Sequence, residues 1–171
     1  NTEKRFTAEL RSQLGVLPSY TQLGMAALLP HEQLCYQPGN GDIVYADGLS
    51  TSGIPNRDTI LKNYKGMAIK SKDLLELKNQ EGRDLIRDYE VVYIWHNTID
   101  ATGDTASTED KTFEACRTAV TELKDLVTKV INRLHGTRIF VTADHGFLFQ
   151  QQALSVQDKT TLQIKPENTI K

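Results

Sequence analysis

The apolar positions of the chain change rhythm several times, and each change predicts an element. From Thr2 to Leu14, Phe6, Leu10 and Leu14 recur every four residues, which predicts a short helix, and Gly15 suits its stop. Gln22 to Leu29 is small and apolar; a helix is expected there, starting at or just after Thr21 and ended by Pro30. Gly, Asn, Asp, Ser and Thr then dominate from Gln37 to Pro55, so loops are expected, with Ile43-Val44-Tyr45 as one strand-like piece. A short helix is predicted from Asn56 to Tyr64, with Asn56 as its cap. Lys72 to Asp88 has helical composition, weakened by Gly82.

The strongest pattern follows. Val91 to Trp95 is a continuous apolar run, as in a strand covered on both faces. A polar loop is expected from His96 to Thr108. Phe113, Val120, Leu123, Val127, Val130 and Leu134 then recur at helical spacing, predicting one long helix from about Glu109 to His135, stopped by Gly136. Arg138 to Thr142 reads as the next strand. Strand, helix, strand makes a βαβ unit with parallel strands and a right-handed crossover. The expected class is α/β, a mostly parallel sheet flanked by helices, in a single domain over residues 1–171.

Composition narrows the functional classes. With 39% hydrophobic and 25% charged residues, the 171-residue chain has the make-up of a globular domain. Its formal net charge of -2 gives no general electrostatic footprint for nucleic acid or an anionic membrane. No apolar run approaches the ~20 residues that span a bilayer, so no membrane partner is expected. Cys35 and Cys116 lie far apart without a metal-binding spacing, and read as free buried thiols of a reducing cytoplasm.

In open α/β sheets ligands sit beyond the carboxyl ends of the strands. Two predicted strands end in acids and imidazoles there: His96, Asp100 and Asp104 follow one, Asp144 and His145 the other. Parallel neighbours would bring these loops to one edge, where Asp and His side chains suit a divalent cation, zinc or manganese in particular. Each group also has a plainer role open to it. Asp100 to Asp104 can be a polar turn, Asp144 a helix cap, and His96 a structural hydrogen-bond donor. Thr21, at a strand-to-helix junction, can be a nucleophile or a simple cap. Arg57 can clamp a phosphate bidentately or lie on the surface of its helix.

Taken together, "LPSYTQLGMAALLPH", "YADGLSTSGIPNRDTIL", "YIWHNTIDATGD" and "TADHGFLF" resemble the PglZ domain of BREX-type phage-defence systems, within the alkaline phosphatase superfamily. The resemblance runs from about Leu17 to Phe149. It implies an alkaline phosphatase-like core and a metal-dependent phosphoester hydrolase, a phosphodiesterase in particular. It places Thr21 at the nucleophile position and makes Asp144, His145 and Asp100 ligands to one or two divalent ions, zinc foremost. Asp104 stands where the superfamily's second motif carries His, a departure that favours harder cations. His96 and Arg57 are weaker, substrate-binding candidates. The resemblance also implies a phosphoester substrate, nucleic acid among the options, and other phage-defence proteins as partners. Two superfamily ligands, an Asp before the nucleophile and a His well after the Asp-His pair, have no counterpart, and the chain begins without Met. A core fragment lacking the first strand and the C-terminal part is therefore expected, with weak metal binding of its own. The alternative is a non-catalytic docking domain with a degenerate metal site.

Overall fold

The computed structural model describes residues 7–39, 41–103, 111–147, 155 and 157. Its elements run α1 (Thr21–Ala27), β1 (Leu34–Tyr36), β2 (Val44–Ala46), β3 (Leu49–Ser50), α2 (Gly53–Lys62), β4 (Gly66–Lys70), α3 (Ser71–Glu76), α4 (Asn79–Ile86), β5 (Val91–Trp95), α5 (Thr98–Gly103) and α6 (Thr112–Leu134). This is α/β, as expected, but its sheets are small. β1, β2 and β3 form an antiparallel ribbon, with Cys35 opposite Tyr45 and Tyr45 opposite Ser50. β4 and β5 form a parallel pair in the register Gly66–Val91 to Lys70–Trp95.

That parallel pair is the middle layer, and its two faces explain why β5 is apolar throughout and β4 apolar up to Lys70. Side chains alternate across a strand. Ala68, Tyr93 and Trp95 pack on a cluster of Leu29, Ala46, Ile60 and Leu61. Ile69 and Ile94 pack on the opposite cluster, Leu74, Leu126 and Leu134, with Leu123 and Val130 of α6 beside it. The continuous run at Val91–Trp95 thus has helices on one face, and helices with the antiparallel ribbon on the other. The Tyr93 hydroxyl donates to the Leu28 carbonyl at 2.8 Å, which ties the end of α1 to β5.

Several expectations are corrected. No helix forms over the described part of Thr2 to Leu14. Leu10 and Leu14 are 99% and 91% exposed, so their four-residue repeat has nothing to pack on, and packing is what stabilises a short helix. α2 begins at Gly53, with Ser52 as its cap. Asn56 lies inside it, and its side-chain amide donates back to the Ser52 carbonyl. The helical stretch from Lys72 breaks into α3 and α4 at Leu77, whose backbone is extended. Lys129 of α6 donates to the carbonyls of Leu75 and Leu77 and satisfies that break. The expected polar loop after Trp95 contains α5.

The largest correction concerns the βαβ unit. Arg138 to Thr142 forms no strand, and Phe140 and Val141 are 83% and 61% exposed. The parallel partner of β5 is β4, which precedes it, so the crossover runs through α3 and α4. The long helix α6 closes with His135 in the left-handed region at φ 63°, and Gly136 N–H donates to the Val130 carbonyl. The two thiols are free, as expected, but only half-buried. No helix among the described residues is long and apolar enough to cross a membrane.

Candidate functional site

α1 opens at Thr21, directly after its cap Tyr20, and Gly24 N–H closes the first turn on the Tyr20 carbonyl. Across from it runs the irregular segment that carries Asp144 and His145. Gly24 permits the approach. A β-carbon there would lie 2.4 Å from the Asp144 carbonyl oxygen and 3.0 Å from its Cβ, so no other residue fits without moving backbone. A helix-interior glycine costs about 1 kcal/mol against alanine, and close packing is the usual reason to carry one. "TQLGMAA" therefore held a signal for this contact that its apolar pattern alone did not raise.

The approach brings Thr21 Oγ1 within 3.0 Å of His145 Nε2, across 124 residues of sequence. The other ring nitrogen, Nδ1, lies 2.9 Å from the Gly146 carbonyl. A carbonyl only accepts, so Nδ1 carries the hydrogen. In the neutral ring Nε2 then holds a lone pair and accepts from the Thr21 hydroxyl. Among the described residues Asp144 Oδ2 is buried without a hydrogen-bond partner, and it sits 3.3 Å from the same Nε2. Two acceptors thus face each other beside a hydroxyl oxygen. Such a pair is stabilised by a cation between them, or by a second proton on the ring.

Arg57 completes the constellation from α2. It is only 7% exposed. Its Nε donates to the Thr51 carbonyl at 2.8 Å, and its guanidinium lies 5.1 Å from the centre of the Trp95 ring. Burial lowers its pKa from the ordinary guanidinium value, while the negative charge of Asp144 opposes that shift. The side chain stays cationic at neutral pH and close enough to Asp144 to feel its charge. Trp95 is the last residue of β5, so this group lies at the carboxyl end of the parallel pair, where such sheets bind ligands.

The remaining candidates fall elsewhere. His96 follows β5, and its Nε2 pairs with Glu122 of α6 at 2.7 Å, while Thr98 donates to the same carboxylate oxygen at 2.6 Å. These hydrogen bonds, Thr98 first and His96 second, hold the Glu122 pKa below its ordinary 4.5. Asp100 lies in the first turn of α5. Asp104 lies outside the described residues. Among the described residues no group of three or more His, Cys, Asp or Glu side chains gathers to hold a metal, so Asp100 does not join Asp144 and His145 in one. The orphaned Asp144 Oδ2, His145 Nε2 and Thr21 Oγ1 nevertheless make a chemically fitting oxygen and nitrogen donor set for a divalent ion. Sequence reasoning missed Gly24, Trp95 and Glu122; the last gave no signal within its amphipathic helix.

Comparison with known proteins follows the same line. The chain is 99% identical over all of its 171 residues to alkaline phosphatase-like protein BrxZ of Escherichia coli O9:H4 (strain HS), and spans 20% of that protein's length. It is 40% identical over 161 residues, 93% of the chain, to alkaline phosphatase-like protein PglZ of Bacillus cereus (strain H3081.97), spanning 19% of it. No solved structure matches the chain. A family model described as the BREX system PglZ alkaline phosphatase-like domain matches residues 1–171, and the chain belongs to that family.

Proposed function

We propose that this chain carries the nucleophile half of a metal-dependent phosphoester hydrolase, a phosphodiesterase in particular, working with other proteins of a bacterial phage-defence system. The observation that carries the reading is the Thr21–His145 contact at 3.0 Å, with Asp144 Oδ2 beside it, buried and without a hydrogen-bond partner among the described residues. A threonine hydroxyl is a weak nucleophile until something removes or acidifies its proton. In this reading its oxygen gives its proton to solvent and attacks phosphorus, the opposite P–O bond breaks, and the departing oxygen takes the electron pair and a proton from water. A second water then attacks the phosphorus of the phosphothreonine, breaking the Thr21 O–P bond, releasing the phosphate product and restoring the hydroxyl.

Asp144 and His145 would hold the cation. When bound, such an ion neutralises phosphate charge and acidifies a nearby hydroxyl. His145 would hold such an ion through Nε2, and its Nδ1 hydrogen bond to Gly146 keeps the ring in the tautomer that leaves the Nε2 lone pair available for it. Arg57 supplies the phosphate clamp: it is buried, cationic, and oriented by Thr51 and Trp95. Nucleic acid is a natural substrate class in phage defence; at a net charge of -2, affinity for it must come from this local site or from a partner.

The test is hydrolysis of chromogenic phosphodiesters and phosphomonoesters by the intact protein, with and without chelator. Thr21→Ala is expected to lower turnover by about a thousandfold or more. Unchanged turnover in that variant, or none in the metal-loaded wild type, favours a docking domain instead.

A further inference from the structure

A second cavity lies against the same helix. It has a volume of about 200 Å³ and is walled by Pro18, Tyr20 and Leu23 on the α1 side and by Leu34, Tyr36 and Val44 of the antiparallel ribbon. A larger cleft, of about 360 Å³ between α5 and α6, is lined by Thr98, Thr102, Lys111 and Glu114 and touches none of Thr21, Arg57, Asp144 or His145. The smaller one is not lined by those four residues either, but it is joined to the site through Tyr20, which lines it and directly precedes Thr21, one peptide step of about 3.8 Å away.

We propose that this pocket receives the flat aromatic ring of the ester substituent, an aryl group or a nucleobase, of a phosphoester whose phosphorus is presented to Thr21. The proposal rests on the phosphoryl-transfer reading. Three observations carry it. The lining is apolar apart from two tyrosines, and aromatic faces bind planar rings by stacking. The volume is below the range of pockets for drug-sized ligands, about 300–1,000 Å³, and suits one ring system. A carboxylate also lies near Tyr20: burial first, then the charge of Asp42, then Tyr36, raise the Tyr20 pKa above its ordinary 10.0, which keeps its phenol neutral. One nearby carboxylate disfavours a second phosphate and accepts a neutral ring.

The experiment measures competition by methylphosphonate, phenylphosphonate and a thymine-bearing phosphonate against hydrolysis of a chromogenic phosphodiester by the intact protein. The expected result is about tenfold tighter inhibition by a ring-bearing phosphonate than by methylphosphonate, the gain that stacking one ring supplies. A larger gain for thymine than for phenyl assigns the ring to a nucleotide, and the reverse to a simple aryl ester. Leu23→Trp, which fills the cavity, should bring the ratio close to one. Tyr36→Ala, at a side chain already 39% exposed, should also lower it and keeps the test open if Leu23→Trp does not fold. Equal inhibition by all three compounds, or a ring preference that survives both substitutions, overturns the pocket and leaves the role of Thr21 standing. Failure of the underlying reading looks different: Thr21→Ala hydrolyses at the wild-type rate and no phosphonate competes.

Discussion

Two residues decide how well the candidate site is held. At Gly24 the obstacle to a larger side chain is the Asp144 backbone, 2.4 Å from where a β-carbon would lie. Gly24→Ala must therefore push the Asp144–His145 segment away from Thr21. A destabilisation of about 1–3 kcal/mol is expected, together with loss of hydrolysis in the intact protein, and thermal melts beside activity assays check both. Gly82→Ala is the contrast. There the nearest atom, at 2.8 Å, is a terminal methyl of Leu134. A leucine can change rotamer, and alanine gains about 1 kcal/mol of helix propensity, so the melting temperature should stay nearly constant. Arg57 is the other decisive residue. Lysine keeps the charge but loses the planar fork and the stack on Trp95. Arg57→Lys should raise KM for a phosphodiester by about tenfold with a smaller effect on kcat, if the clamp grips ground and transition states alike.

At the scale of elements, α5 and α6 are joined by one acid. Glu122 accepts from both Thr98 and His96, and its lowered pKa makes the junction pH-sensitive. A carboxylate with a depressed folded-state pKa contributes stability that is fully present above its ordinary value of 4.5 and lost as pH falls through the lower folded value. Below about pH 4.5 the melting temperature of the wild type should therefore fall more steeply than that of Glu122→Gln. The elements also show what sequence can and cannot disclose. β5 was legible as a continuous apolar run packed on both sides, and α6 by the helical spacing of Leu123, Val130 and Leu134, which face a packed layer, although Phe113 and Val120 of the same pattern are 55% and 69% exposed. α1 was legible because its small apolar run ends at Pro30. β4 was not: "GMAIK" is short and bounded by Gly and Lys, and its strand character comes from pairing with β5. The same logic fails in reverse for Arg138 to Thr142, a β-prone run left exposed. Propensity describes a segment, whereas a strand needs a neighbour.

Over the whole molecule, two cores share the β4–β5 layer, so damage to either should be felt across it. Leu61 is fully buried in one and Leu74 nearly so in the other. Leu61→Ala and Leu74→Ala should each cost about 2–5 kcal/mol, and each melt should remain a single transition when followed by far-UV dichroism and by Trp95 fluorescence. The candidate site was partly legible at this scale. Thr21, Asp144, His145 and Arg57 converge, although the predicted strand that was to deliver Asp144 is absent; close packing on Gly24 delivers it instead. Asp100 and His96 follow β5 as expected, but residue order cannot tell which way a side chain turns, and His96 turns to α6. The span of 124 residues between Thr21 and His145 has one more consequence. Synthesis proceeds from the amino end, so a ribosome extrudes the hydroxyl long before its imidazole. A nascent or truncated polypeptide would therefore lack the Thr21–His145 contact until the segment that carries the imidazole is made and docks on Gly24.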